Sequence, residues 1–161
     1  MRQGRIIKSI NAVKSDWDVP ADEPWPTDCQ PTATSNTSPD NSPDALYKAS
    51  SRSIVKGVVE SLASLQELFV SVDPYDQMWV LDVAGELLTF RDAYSEVQKL
   101  TPPSSLKIAH ETLLSSLKIL SDVSYSLPKA FDSGNTNEIE KQAQRMWDSL
   151  EGIDSFTAMT N

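Results

Sequence analysis

LTPPSSLKIAHETLLSSLKIL, residues 100–120, places Leu106, His110, Leu113, Leu117 and Leu120 at steps of four and three after a Thr-Pro-Pro break. That spacing puts five side chains on one face of a helix, and strand alternation does not produce it. Continued toward the C-terminus, the same row takes in Ser124, Leu127 and Phe131. Pro128 falls inside the row. A proline removes one amide and crowds the carbonyl four residues earlier, so the helix is expected to kink or end near Tyr125.

Working outward, three more rows have the same period. Ser42-Pro43-Asp44 opens the first, with Ile54, Val58, Leu62, Leu65, Phe69 and Val72 as its stripe. Asp73-Pro74 restarts the chain, and Val80, Val83, Leu87, Phe90, Tyr94 and Val97 follow. After the row that begins at Leu106, Gly134 is a natural stop, and Asn135 with Glu138 resembles a capping box. The last stripe is Ile139, Ala143, Met146, Leu150, Ile153 and Thr157. Four such helices joined by short turns predict an all-α fold, an antiparallel up-down-up-down four-helix bundle over residues 44–161. Gly57 and Gly85 interrupt two of the rows and are expected where helix backbones approach closely.

Residues 1–43 read differently, as an extended N-terminal arm. Met1 to Lys14 carries four bases and no acid, whereas Asp16 to Asp44 carries seven acids and no base. Ile6, Ile10 and Val13 share a helical face within the basic part and form the candidate partner-binding residues, suited to an acidic protein or a peripheral membrane contact. Val19 to Pro43 is rich in Pro, Ser, Thr, Asn and Asp and buries too little apolar surface to order by itself, as expected of a linker.

The 161-residue chain has a net charge of −9 and a pI near 4.5, which disfavours nucleic acid as a partner because phosphate neutralisation needs clustered Lys and Arg. No run approaches the roughly 18 apolar residues of a membrane span. Ile6-Ile7 is too short for the apolar part of a secretory signal, so the chain is either cytoplasmic or an exported protein whose signal has been removed. The single cysteine, Cys29, has no internal partner and falls in the linker.

His110 is the only histidine and occupies the seam. The plainest expectation is a neutral, mostly buried imidazole, hydrogen-bonded to a neighbouring helix through Tyr94 or a serine. The alternative is a phosphoacceptor, since histidine phosphotransfer domains are four-helix bundles. That family follows its histidine with a Lys-Gly pair, and Leu113 and Leu114 stand here instead. A di-iron centre needs several Glu-x-x-His pairs, and a haem held by His110 and Met146 has no fixed spacing to support it. No catalytic residue, metal or cofactor is therefore expected, although a small-ligand carrier using the interior is a further alternative. Trp79 and Trp147 fit the ends of a bundle with the indole N–H facing water, or the wall of a ligand groove.

The segments LTPPSSLKIAHETLLSSLKIL and KAFDSGNTNEIEKQAQRMWDSLEGID, preceded by the spacer CQPTATSNTSPDNSP, resemble bacterial extracytoplasmic helical-bundle domains of lipoproteins and secreted proteins. The resemblance covers about two-thirds of the chain and implies an accessory subunit held away from a cell surface, with no catalytic residues to carry over. It departs at Cys29, which follows EPWPTD rather than the apolar signal of a lipidated cysteine.

Overall fold

The structure, a computed structural model, describes residues 42–161; Ile6, Ile10, Val13, Cys29 and the linker lie outside that range. Four helices fill it, and there is no strand among the described residues: α1 (Pro43–Leu68), α2 (Gln77–Lys99), α3 (Lys107–Asp132) and α4 (Thr136–Thr160). A 3-10 turn, Ser104–Leu106, leads into α3. The fold is all-α, as the periodicity predicts.

Cross-helix contacts fix the direction of each helix. Ser61 of α1 donates to Glu86 of α2, and Arg91 of α2 donates to Ser124 of α3. Ser126 of α3 donates to Gln142 of α4, and Arg52 of α1 donates to the carbonyl of Thr160 at the end of α4. Trp79, at the start of α2, reaches both Leu68 at the end of α1 and Phe131 at the end of α3, Ser126 late in α3 meets Gln142 early in α4, and Arg52 in the first half of α1 meets the last turn of α4, so successive helices run antiparallel.

The core is a set of aliphatic and aromatic rows: Val55, Val58, Leu62 and Leu65 of α1; Val83, Leu87, Phe90 and Val97 of α2; Leu113, Leu117, Leu120 and Leu127 of α3; Met146, Leu150, Ile153 and Phe156 of α4. Each fully buried Leu, Val or Phe contributes about 1.5–3 kcal/mol through the apolar surface it withdraws from water. Phe156 replaces Thr157, and Val55 replaces Ile54, as the inward residue; Thr157 and Ile54 are half-buried. The Phe156 ring removes more apolar surface than the Thr157 side chain would, and Val55 lies three residues before Val58 on the row that continues through Leu62 and Leu65.

Pro128 does not end its helix. α3 runs on to Asp132, and the carbonyl of Ser124, which has no amide to accept from at position 128, instead accepts Nη2–H of Arg91 at 3.0 Å. The Arg91 Nε–H donates to Ser124 Oγ at 2.9 Å, and its guanidinium sits 3.9 Å from the Tyr125 ring centroid. A side chain from α2 thus supplies the donor that proline removes. The stop follows at Gly134, whose φ of +62° allows the amides of Gly134 and Asn135 to reach the carbonyls of Phe131 and Ala130. Asn135 then caps α4 by accepting from the Glu138 amide at 3.2 Å, while the Glu138 carboxylate turns to Gln142 rather than back to the cap.

Gly57 and Gly85 are not points of close helix approach: a Cβ added at either meets nothing within 4 Å. The close approach is at Gly152 on α4, where a Cβ would stand 2.0 Å from Ser116 Oγ on α3. Small residues at Ser116, Ser149 and Gly152 let these two helices pack tightly.

Candidate functional site

His110 lies near the start of α3 and is 9% exposed. Its partner is Tyr47 on α1, not Tyr94: Tyr47 Oη and His110 Nδ1 share a hydrogen bond of 3.0 Å, with the rings edge-to-face at 5.9 Å. Burial lowers the imidazole pKa below its ordinary value, with the Glu111 carboxylate pulling weakly the other way. Burial raises the Tyr47 phenol. A phosphoacceptor presents its ring on an exposed helix face; here Nδ1 is engaged by Tyr47, most of the residue is buried, and Leu113 behind it is fully buried.

Met146 is not brought to His110. Ser126 with Gln142 and Ser116 beside Gly152 set the α3–α4 register, which levels Met146 with residue 122. That is twelve residues, about 18 Å of helix, from the imidazole. Of the buried serines, Ser51 donates within its own helix to the Tyr47 carbonyl, Ser124 to that of Ser121 and Ser149 to that of Met146, while Ser61 donates across to Glu86. No buried side-chain nitrogen or oxygen among the described residues lacks a hydrogen-bond partner. Nor do these residues contain a group of three or more His, Cys, Asp or Glu placed to hold a metal ion.

The opposite end of the bundle is built from rings. Trp79 of α2 stands 5.7 Å from Phe131 of α3 and 6.3 Å from Phe69, which lies 6.1 Å from Phe131. Trp79 takes the seam position expected of Val80. Its larger ring removes more surface from water, and its Nε1–H is not left wet but donates to the Leu68 carbonyl at the end of α1, at 3.0 Å. Trp147 is half-buried on α4.

Beside this cluster α2 and α3 part to leave an open groove of about 360 Å³, lined by Tyr75, Trp79, Val80, Leu87, Pro128 and Phe131 among others. α1 ends at Leu68 instead of running to Val72, and α2 is capped by Asp76, which accepts from the Met78 amide at 2.9 Å, rather than by Asp73. Asp73 instead turns the loop by accepting from the amides of Tyr75 and Asp76. The connection is therefore longer than the rows predict, and beyond Phe69 its apolar residues face water. Tyr75 is 97% exposed and Val70 84%.

The exposed apolar surface continues along α2. Val80 lines the groove, and Met78, Leu81 and Leu88 lie beyond it on the outer side, all exposed. In its first three turns α2 is thus apolar over an arc that starts in the core and passes through the groove to solvent. A soluble bundle ordinarily covers such an arc with polar side chains, and contiguous exposed apolar surface is characteristic of interfaces. One inward stripe on each helix does not reveal this surface. The signal was present: Met78, Leu81 and Leu88 form a second row at helical spacing.

Compared with protein-family models, curated proteins and solved structures, the chain matches none. No helix among the described residues is long and apolar enough to cross a membrane.

Proposed function

We propose that the chain is a non-enzymatic accessory subunit, a helical bundle that docks onto a larger assembly of the extracytoplasmic kind its resemblance implies. One observation carries this reading: the apolar arc of α2, which leaves the core at Val80 and runs outward through Leu81 and Leu88 beside the exposed Tyr75. A scaffold role suits the rest of the described chain, whose buried side-chain polar atoms all have hydrogen-bond partners within the bundle. The basic arm, with Ile6, Ile10 and Val13 at helical spacing in the sequence, is a second proposed attachment. Deleting residues 1–15 and measuring association tests it; unchanged association removes it.

For the docking surface, a photo-crosslinking amino acid replaces Tyr75 in one sample and Ile108 in another, in cells that make the protein naturally. Ile108 is 73% exposed on α3, near the opposite end of the bundle. A discrete heavier adduct from position 75 and none from position 108 supports the reading. Equal adducts from both, or none from either, refutes it.

A further inference from the structure

We infer that the exposed face of α2 receives a basic amphipathic helix from a partner protein. This inference rests on the docking reading above and specifies its occupant. Met78, Leu81, Gly85 and Leu88 recur at three and four residues and are all exposed, forming a straight apolar row of about three turns, or about 15 Å. A helix laid along such a row meets it with its own residues at the same period, and Val80 with the groove behind it receives the bulkier anchors.

Gly85 sits in the middle of the row, where a side chain would meet nothing within 4 Å. Nothing in the described bundle calls for a glycine there. A helix backbone crossing at that point does, because only a missing Cβ lets two backbones come close.

Charge selects the kind of helix. Residues 68–90, which supply every apolar group in this surface apart from the α3 side of the groove, carry Asp73, Asp76 and Asp82, with Glu86 turned to Ser61 of α1, and no base; Arg91, one turn beyond Leu88, is held by Ser124 and the Tyr125 ring. Asp132 adds a further acid at the groove. Lys and Arg flanking an apolar stripe complement that field, while the same α2 face of a second copy brings the same acids to the same place.

The test uses the full chain and three labelled synthetic peptides, read by fluorescence anisotropy at moderate salt. One has leucine and lysine at helical spacing, one has leucine and glutamate in the same pattern, and one scrambles the first. We expect binding of the leucine–lysine helix alone. Leu81→Ser and Leu88→Ser should each weaken it about tenfold, as truncation of an interface anchor does, and Ile108→Ser should leave it unchanged. Gly85→Ala should also weaken binding while the variant melts no lower than the parent, which separates lost approach from lost fold. Equal binding of the scrambled or leucine–glutamate peptide overturns the inference. So does indifference to Leu81→Ser, or a chain that dimerises through this face. If position 75 crosslinks a partner but the leucine–lysine helix does not bind, the inference falls and the docking reading stands.

Discussion

The Tyr47–His110 pair joins the first turns of α1 and α3, and its energetics follow from burial. An enclosed imidazole takes up a proton less readily than a solvated one, and the structure depresses its pKa accordingly. The unfolded chain therefore binds a proton first as pH falls below about 6.5, the ordinary histidine value. Stability is full above that pH and is lost as pH drops through the folded pKa. The difference in urea midpoint between the parent chain and His110→Gln, followed from pH 8 to pH 4, should change across this interval and be flat above it. Tyr47→Phe leaves Nδ1 without its partner and should cost about 1–3 kcal/mol by the same unfolding measurement. The seam position of His110 was legible from spacing alone. Its partner was not, because Tyr47 lies 63 residues away and helical period carries no information on which neighbour faces which. Gly152 was overlooked for the same reason, since the close approach involves Ser116 on another helix. Gly152→Ala should destabilise by about 1 kcal/mol despite alanine's better helix propensity, with Ser116→Ala relieving part of the loss. Gly85→Ala, with open space around it, should instead stabilise by about 0.5–1 kcal/mol.

At the level of whole elements, α3 shows where local rules give way to tertiary contacts. Proline inside a helix commonly costs about 3 kcal/mol, in part through the orphaned carbonyl. Arg91 meets that carbonyl, and the helix does not end near Tyr125. Arg91→Ala should therefore destabilise by about 1–3 kcal/mol, by leaving the Ser124 carbonyl unpaired and releasing Tyr125. In a Pro128→Ala background the restored amide at position 128 satisfies Ser124 internally, and the same Arg91→Ala change should cost measurably less. Equal costs in both backgrounds, in urea titrations of the four variants, would show that Arg91 acts only through Tyr125 and the Ser124 hydroxyl. Element ends were legible wherever a residue has a conformational reason to be there. Gly134 adopts positive φ and Asn135 caps α4, and both were readable. The α1–α2 connection was misread because apolar Phe69, Val70 and Val72 continue the stripe of α1 beyond its end at Leu68. Those residues extended the pattern without extending the helix, and the Asp73 turn with the Asp76 cap decided the boundary.

Across the four-helix unit, apolar packing and charge act in opposite directions. Residues 42–161 hold 17 acidic and 10 basic residues, a net charge of −7. Three ion pairs are formed among the described residues, Lys56–Glu60, Lys118–Asp122 and Lys141–Glu138, each exposed and within one helix turn. Pairs of this kind are screened by water and salt, contribute little to stability, and join no two helices. The topology was legible in the sequence because four apolar rows and short turns leave little freedom in how the helices close on one another. The outward arc of α2 was not, since burial of one row says nothing about whether a second row on the same helix is covered. The energetics give a further test of this picture. If apolar rows hold the bundle and excess acid strains it, screening should help. Raising NaCl from about 0.02 M to about 0.3 M shortens the Debye length from roughly 20 Å to roughly 6 Å, weakening long-range repulsion while leaving core burial nearly unchanged. The urea midpoint at pH 7 should rise, by an amount equivalent to a few tenths of a kcal/mol or more. If instead the surface pairs dominated, the same addition would lower it, so the sign of the salt effect decides between the two.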